Sequence, residues 1–211
     1  LLAFLASALP PLVLIPVHGV VQAGSNAGRA LNLLRFISWR DMPGFVLGSV
    51  LGVGLGGALV VNIPPYLVQI GIGGFIIWSV FSRPPAWLRR FPVLTGAISS
   101  FLTMFFGATG LFVANFTKSL TLDRHGHVAT HAALMGVQHL LKTVAFGFLG
   151  FVFLPWLGFI AGMILAGFAG TLVGRAVLNR ISDARFRMAL DVVLVLISAR
   201  LIWGGLVAGW G

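Results

Sequence analysis

Six long apolar runs, separated by short segments that hold nearly all the charge, leave this chain few ways to fold. They cover about residues 11–35, 43–62, 65–82, 128–151, 155–177 and 188–207. A helix needs roughly 20 apolar residues to cross a hydrocarbon core approximately 30 Å thick, and each run approaches or exceeds that length. Charged residues make up 9% of the 211-residue chain, against about 25% in a soluble domain. Disorder would require the opposite balance, low hydrophobicity with high charge. The expected fold class is an all-α polytopic membrane protein, with residues 1–211 as a single integral membrane domain and the lipid bilayer as its first partner. The net charge of +10 does not point to nucleic acid. The basic residues sit in the connections between apolar runs, as the positive-inside rule requires, so no nucleic-acid partner is expected.

A seventh apolar stretch, 93–122, is interrupted by Gly107-Ala108-Thr109-Gly110. Its arms of about 14 and 12 residues reach only roughly 20 Å each, short of the bilayer core. That length suits a re-entrant hairpin. Charge gives an independent test. Arg35 and Arg40, then Arg83, Arg89 and Arg90, then Arg180, Arg185 and Arg187 fill three connections, while the connections at 62–65 and 151–154 carry no charge. Were 93–122 a full crossing, the second and third basic loops would lie on opposite sides. With a hairpin, all three are cytoplasmic, together with Lys118 and Arg124.

Gly44, Phe45, Gly48, Leu51 and Gly56 recur as Gly158, Phe159, Gly162, Leu165 and Gly170, 114 residues later. Gly44 begins its span inside and Gly158 begins outside, so the halves are oppositely oriented, the inverted-repeat plan of secondary transporters. The expected architecture is two inverted repeats, 1–90 and 91–211, each a re-entrant or broken helical hairpin plus three transmembrane helices. The same offset puts most of the first hairpin before Leu1.

Polar side chains inside a membrane are costly and each needs a reason. His18, Gln22, Ser25 and Arg29 fall on one helical stripe, bordered by Asn26. His131, Gln138 and Lys142 form a similar stripe beside His139, and a register of 116 pairs Gln22 with Gln138 and Asn26 with Lys142. Two readings stand for Gln22, Asn26 and Gln138: interhelical hydrogen bonding or substrate contact. Arg29 has two as well, an interfacial snorkel or a cation in the path. Arg200 reads as structural, snorkelling outward or pairing with Asp191. Lys142 has no acidic neighbour in sequence, which favours a functional role. A half-helix starting after Gly110 would aim its free N–H groups and positive dipole end into the membrane, an anion-binding arrangement, with Thr109 and Asn115 beside it. Acidic groups for carrying cations are nearly absent. An anion path is the expectation.

The chain has no cysteine, hence no thiolate nucleophile, disulfide or Cys-bound metal. His127 and His131 share the i, i+4 spacing of metal ligands, but no HExxH glutamate accompanies them. No nucleophile elbow or phosphate loop occurs. No catalytic residue, metal or cofactor is expected.

The stretch His18-Gly19-Val20-Val21-Gln22-Ala23-Gly24-Ser25-Asn26-Ala27-Gly28-Arg29, with Ile37-Ser38-Trp39-Arg40 after it, resembles the first-half signature of the TauE/SafE sulfite exporter family. Ala129-Thr130-His131-Ala132 through Gln138-His139-Leu140-Leu141-Lys142 resembles the second-half signature. The hairpin motif Gly107-Ala108-Thr109-Gly110 departs from the family by having fewer glycines. The resemblance covers nearly the whole chain. It implies export of sulfite, an organosulfonate or a related sulfur-containing anion across the bacterial inner membrane. Gln22, Ser25, Asn26 and Arg29 match the first motif, and Gln138, His139 and Lys142 the second. Substrate contacts are therefore expected from Gln22, Ser25, Asn26, Arg29, Thr109, Gly110, Asn115, Gln138, His139 and Lys142, with alternating access as the mechanism. An anion channel and a non-transporting membrane enzyme or assembly protein are the alternatives. No feature of the sequence sets an oligomeric state.

Overall fold

The computed structural model describes residues 2, 5–6, 9–60, 63–82, 85–107, 109–178 and 183–210, without the side chains of 11, 89, 171–187 and 189–190. Arg83, Ala108 and Arg180 therefore lie outside the described residues, as do the side chains of Arg89, Arg185 and Arg187. Among the described residues there are eight α-helices and no strand: α1 (Pro11–Asn32), α2 (Met42–Val60), α3 (Pro65–Phe81), α4 (Pro92–Phe106), α5 (Gly110–Thr117), α6 (Arg124–Phe148), α7 (Leu157–Leu178) and α8 (Asp183–Trp210). Proline stands at the start of α1, α3 and α4, where its missing N–H costs nothing. Helix α6 begins before its apolar run because the Asp123 carboxylate accepts from the Gly126 N–H at 2.7 Å and caps it.

The interrupted stretch forms two helices of 15 and 8 residues, so the second arm is shorter than the 12 residues expected from the sequence. Thr117 ends it. Its hydroxyl donates back to the Val113 and Ala114 carbonyls, and the Ser119 and Leu120 N–H groups close tight turns onto Phe116 and Thr117. The arms are about 22 and 12 Å long. Arg40, Asp41, Gly44, Arg90, Pro92, Phe116, Ser119 and Leu120 line one pocket, so the hairpin starts and finishes at the same end of the bundle. Thr130 Oγ1, near the start of α6, accepts from the Ser38 N–H at 2.9 Å and so joins that end. The opposite end, where Leu12, Pro16, Val60, Ile63, Val68, Phe146, Leu149 and Phe151 meet, has no charged side chain in its pocket lining.

Three helix pairs dominate the packing. Helices α2 and α4 run parallel, α1 and α6 antiparallel, and α3 and α8 antiparallel. The α2–α4 contact is backbone on backbone: a Cβ at Gly48 or Gly52 would strike the carbonyls of Val93 and Ala97, and one at Gly96 the carbonyl of Phe45. Small residues permit such approach where no hydrophobic force drives helices together. In α7, by contrast, a Cβ added at Gly158, Gly162, Gly167 or Gly170 would meet nothing within 4 Å.

The surface is apolar and, beside an apolar core, polar side chains are buried. His18, Asn26, Ser49, Thr103, Gln138, His139 and Lys142 are buried, whereas Leu47, Leu51, Leu55, Leu59, Phe148, Leu165 and Trp203 are exposed. Helix α2 shows both faces, its leucines outward at i, i+4 spacing and Gly48, Gly52, Gly56 and Gly57 inward. Such a surface requires lipid. Trp39–Val60 and Asp191–Trp210 are long and apolar enough to cross a membrane by length and composition, and Pro65–Phe81, Pro92–Phe106 and Leu154–Gly170 are shorter apolar helices.

Candidate functional site

The tip of the hairpin and the polar stripe of α1 meet around a cavity of about 330 Å³, lined by Leu2, His18, Gln22, Asn26, Arg29, Gly107, Gly110, His131 and Met135. The α1 side of this cavity is set by helical periodicity. Asn26 is buried; its amide donates to the Gln22 carbonyl at 2.8 Å, and its Oδ1 accepts from Arg29 Nη2 at 3.1 Å. Arg29 also donates from Nε to the Ser25 carbonyl at 3.4 Å. The guanidinium is thus laid along its own helix with donors still available at the cavity. Among the described residues, no aspartate or glutamate lines it.

The opposite wall comes from the break. Gly107 ends α4 at φ 72°, the left-handed region that favours glycine. A Cβ there would also lie 3.0 Å from Leu2 Cδ1 and 3.2 Å from His18 Nδ1. Helix α5 then begins at Gly110 with no side-chain cap; the Phe112 N–H donates to the Thr109 carbonyl at 3.0 Å, which leaves the Gly110 and Leu111 N–H groups without an intrahelical acceptor. Thr109, fully buried, is held from behind. Gln138 of α6 donates from Nε2 to Thr109 Oγ1 at 2.7 Å and to the Ser99 carbonyl at 3.1 Å, while its Oε1 accepts from Ser99 Oγ at 3.2 Å. Both Gln138 amide hydrogens are committed to protein acceptors. It anchors the tip.

Beneath His18 lies a second polar layer. Lys142, His139 and Gln138 are fully buried, and Lys142 Nζ approaches His18 Nδ1 to 3.4 Å. His139 packs edge-on to His18, ring centroids 5.5 Å apart. Glycine makes room for this layer, since a Cβ on Gly19 would meet Lys142 Cε at 2.9 Å.

The family model for the sulfite exporter TauE/SafE matches residues 1–201. The chain belongs to the TauE/SafE family. Its members are membrane-integral transporters of small anions, which accords with an acid-free, donor-rich cavity in a bundle whose outside is apolar. No curated protein and no solved structure matches the chain.

In this TauE/SafE chain, Gln22, Asn26, Arg29 and Gly110 share the cavity wall, and Thr109 stands directly behind it. His139 and Lys142 sit one layer deeper. Ser25 is half-buried and outside the lining. Asn115 is also outside it, its amide donating to the Pro85 carbonyl at 3.5 Å. His18, His131, Gly107 and Met135 join the lining although the sequence did not single them out as contacts. His18 could have been found from its place one turn before Gln22. His131 resembles a solvated end-of-helix histidine, yet its Nδ1 is buried without a partner and available to a ligand.

Proposed function

We propose that this TauE/SafE chain exports sulfite, an organosulfonate or a related sulfur-containing anion across the bacterial inner membrane. The observation that carries the reading is the convergence of Arg29, Asn26 and Gln22 on the uncapped start of α5 around one cavity. A sulfur oxyanion presents several acceptor oxygens and no donor when fully ionised. Arg29 supplies charge and planar N–H groups suited to such an anion, the Gln22 amide and His131 ring supply further polar contacts, and the first N–H groups of α5 replace water at its far side. Lys142 adds positive charge from one layer below, through His18. The volume falls within the roughly 300–1,000 Å³ of small-molecule sites.

Alternating access between two inverted repeats, 1–90 and 91–211, is the proposed mechanism. The antiparallel pairing of α1 with α6 and of α3 with α8 supports it, because helices related by an in-plane two-fold axis cross in opposite directions. The return of the α4–α5 hairpin to its own starting end supports the re-entrant reading. Labelled sulfite, methanesulfonate and sulfate offered to proteoliposomes test the whole. Saturable uptake with counterflow, lowered by Arg29→Gln and Lys142→Ala, is expected. Linear uptake with ohmic current would refute the carrier, and unchanged flux in both variants would refute the site.

A further inference from the structure

Among the described residues, three basic side chains with no acidic partner are packed together at the cavity, and only His18 of them reaches its wall. His18 belongs to both layers: it lines the cavity and contacts Lys142 Nζ through Nδ1 at 3.4 Å. His139 touches its ring edge-on, and neither His139 nitrogen has a hydrogen-bond partner. All three are within about one per cent of complete burial. We infer that His18, His139 and Lys142 form a proton site coupled to the anion cavity, taking up a proton when the anion binds and carrying it across with the anion. This rests on the transport reading above and names its coupling ion.

The chemistry follows from charge and from hydrogen-bond roles. The Lys142–His18 contact needs one donor and one acceptor, which a neutral amine with a neutral imidazole supplies, as does the pair with one proton added to either partner. Placing further protons on the cluster brings like charges into contact without water. Other charged or titratable groups facing the layer are Arg29 and His131, both at the cavity and neither acidic. Helices α2, α4 and α5 and residues 157–170 of α7 contain no titratable side chain, α3 contains only Tyr66, and on α8 Asp191 and Arg200 are exposed. The missing negative charge is therefore the ligand itself. An anion in the cavity lies against His18 and offsets a proton there, and by linkage a proton on the cluster strengthens anion binding to the same extent.

The balance is simple. One proton enters the cluster from the solution to which the cavity is open, no covalent bond to the anion forms or breaks, and both are released on the other side. For a monoanion the cycle moves no net charge. Flux should then respond to a pH gradient and be indifferent to membrane potential.

The test uses methanesulfonate, which carries no titratable proton near neutral pH, and labelled sulfite at alkaline pH, where it is the dianion. Calorimetric titration of the purified protein in buffers of different ionisation enthalpy should show uptake of about one proton per anion bound. In vesicles with the potential clamped at zero, an imposed pH gradient should drive accumulation, with matching proton movement. In His139→Gln protein that still binds the anion, proton uptake per anion bound should fall and gradient-driven accumulation should be lost. Anion binding and flux without proton uptake in the wild type would overturn the coupling and leave the transport reading intact. Full proton uptake in both His139→Gln and Lys142→Met would overturn its assignment to this cluster. Failure of every anion to bind or move would overturn the transport reading itself, and the coupling with it.

Discussion

The anchoring of the hairpin tip by Gln138 can be tested quantitatively. Gln138→Leu removes three hydrogen bonds, to Thr109 Oγ1, the Ser99 carbonyl and Ser99 Oγ. Interhelical hydrogen bonds in membrane proteins average about 0.6 kcal/mol each, with a maximum near 1.7, so the loss should total about 2 kcal/mol. If that energy holds α5 in its anion-facing position, apparent affinity falls by up to about 30-fold, since each 1.4 kcal/mol is a factor of ten. Thr109→Val removes one of the same bonds and should cost about 0.6 kcal/mol alone. The decisive experiment is a double-mutant cycle of Gln138→Leu and Thr109→Val, read by reversible unfolding in SDS and by anion affinity. A coupling of about 0.6 kcal/mol or more is expected in both readouts. Strict additivity would refute the anchor. Loss of affinity with no change in unfolding would instead make Gln138 a direct substrate contact.

Gly52→Ala forces a methyl into the Ala97 carbonyl and should cost about 1–3 kcal/mol of stability; Gly54→Ala, facing open space on the same helix, should be neutral or stabilising, and equal effects would refute the close α2–α4 packing. Arg29→Gln should raise the KM for anion uptake about 10- to 150-fold, the worth of a charged hydrogen bond of roughly 1.5–3 kcal/mol, and an unchanged KM would remove Arg29 from the site. Because the chain has no cysteine, single cysteines report topology cleanly. Cysteines replacing Arg40 and Lys118 should react with an impermeant maleimide from the same side, and one replacing Leu154 from the other; labelling of the first two from opposite sides would refute the re-entrant hairpin.

Much of this arrangement was legible in the sequence, for identifiable reasons. The stripe His18, Gln22, Ser25 and Arg29, with Asn26 on its border, follows from helical periodicity, and all of these but Ser25 reach the cavity. The break at Gly107–Gly110 follows from arms too short to cross a bilayer. Which stripe residues meet across helices did not follow. A register of 116 equates Asn26 with Lys142, but antiparallel crossing sets Lys142 against His18 and Gly19, and Asn26 beside Gly136. Sequence repetition compares corresponding positions, whereas contact depends on crossing direction. Asn115 looked close to the break, but it stands more than a turn along α5 and faces the Pro85 carbonyl. The acceptors of the Gln138 amide could not be named from the sequence, because glue and ligand contact use the same amide.

The bond from Gln138 to Thr109 also dictates an order of assembly during synthesis. Helix α4 can dock on the α2 glycines as soon as it emerges, because that partner is already made. The α5 arm has eight residues, too few to be retained as a span, and its tip cannot be locked until Gln138, 29 residues further along the chain, has been translated. Until then Thr109 has no partner from α6, and the cavity lined by His18, Arg29, Gly110 and His131 is complete only when α6 closes over it.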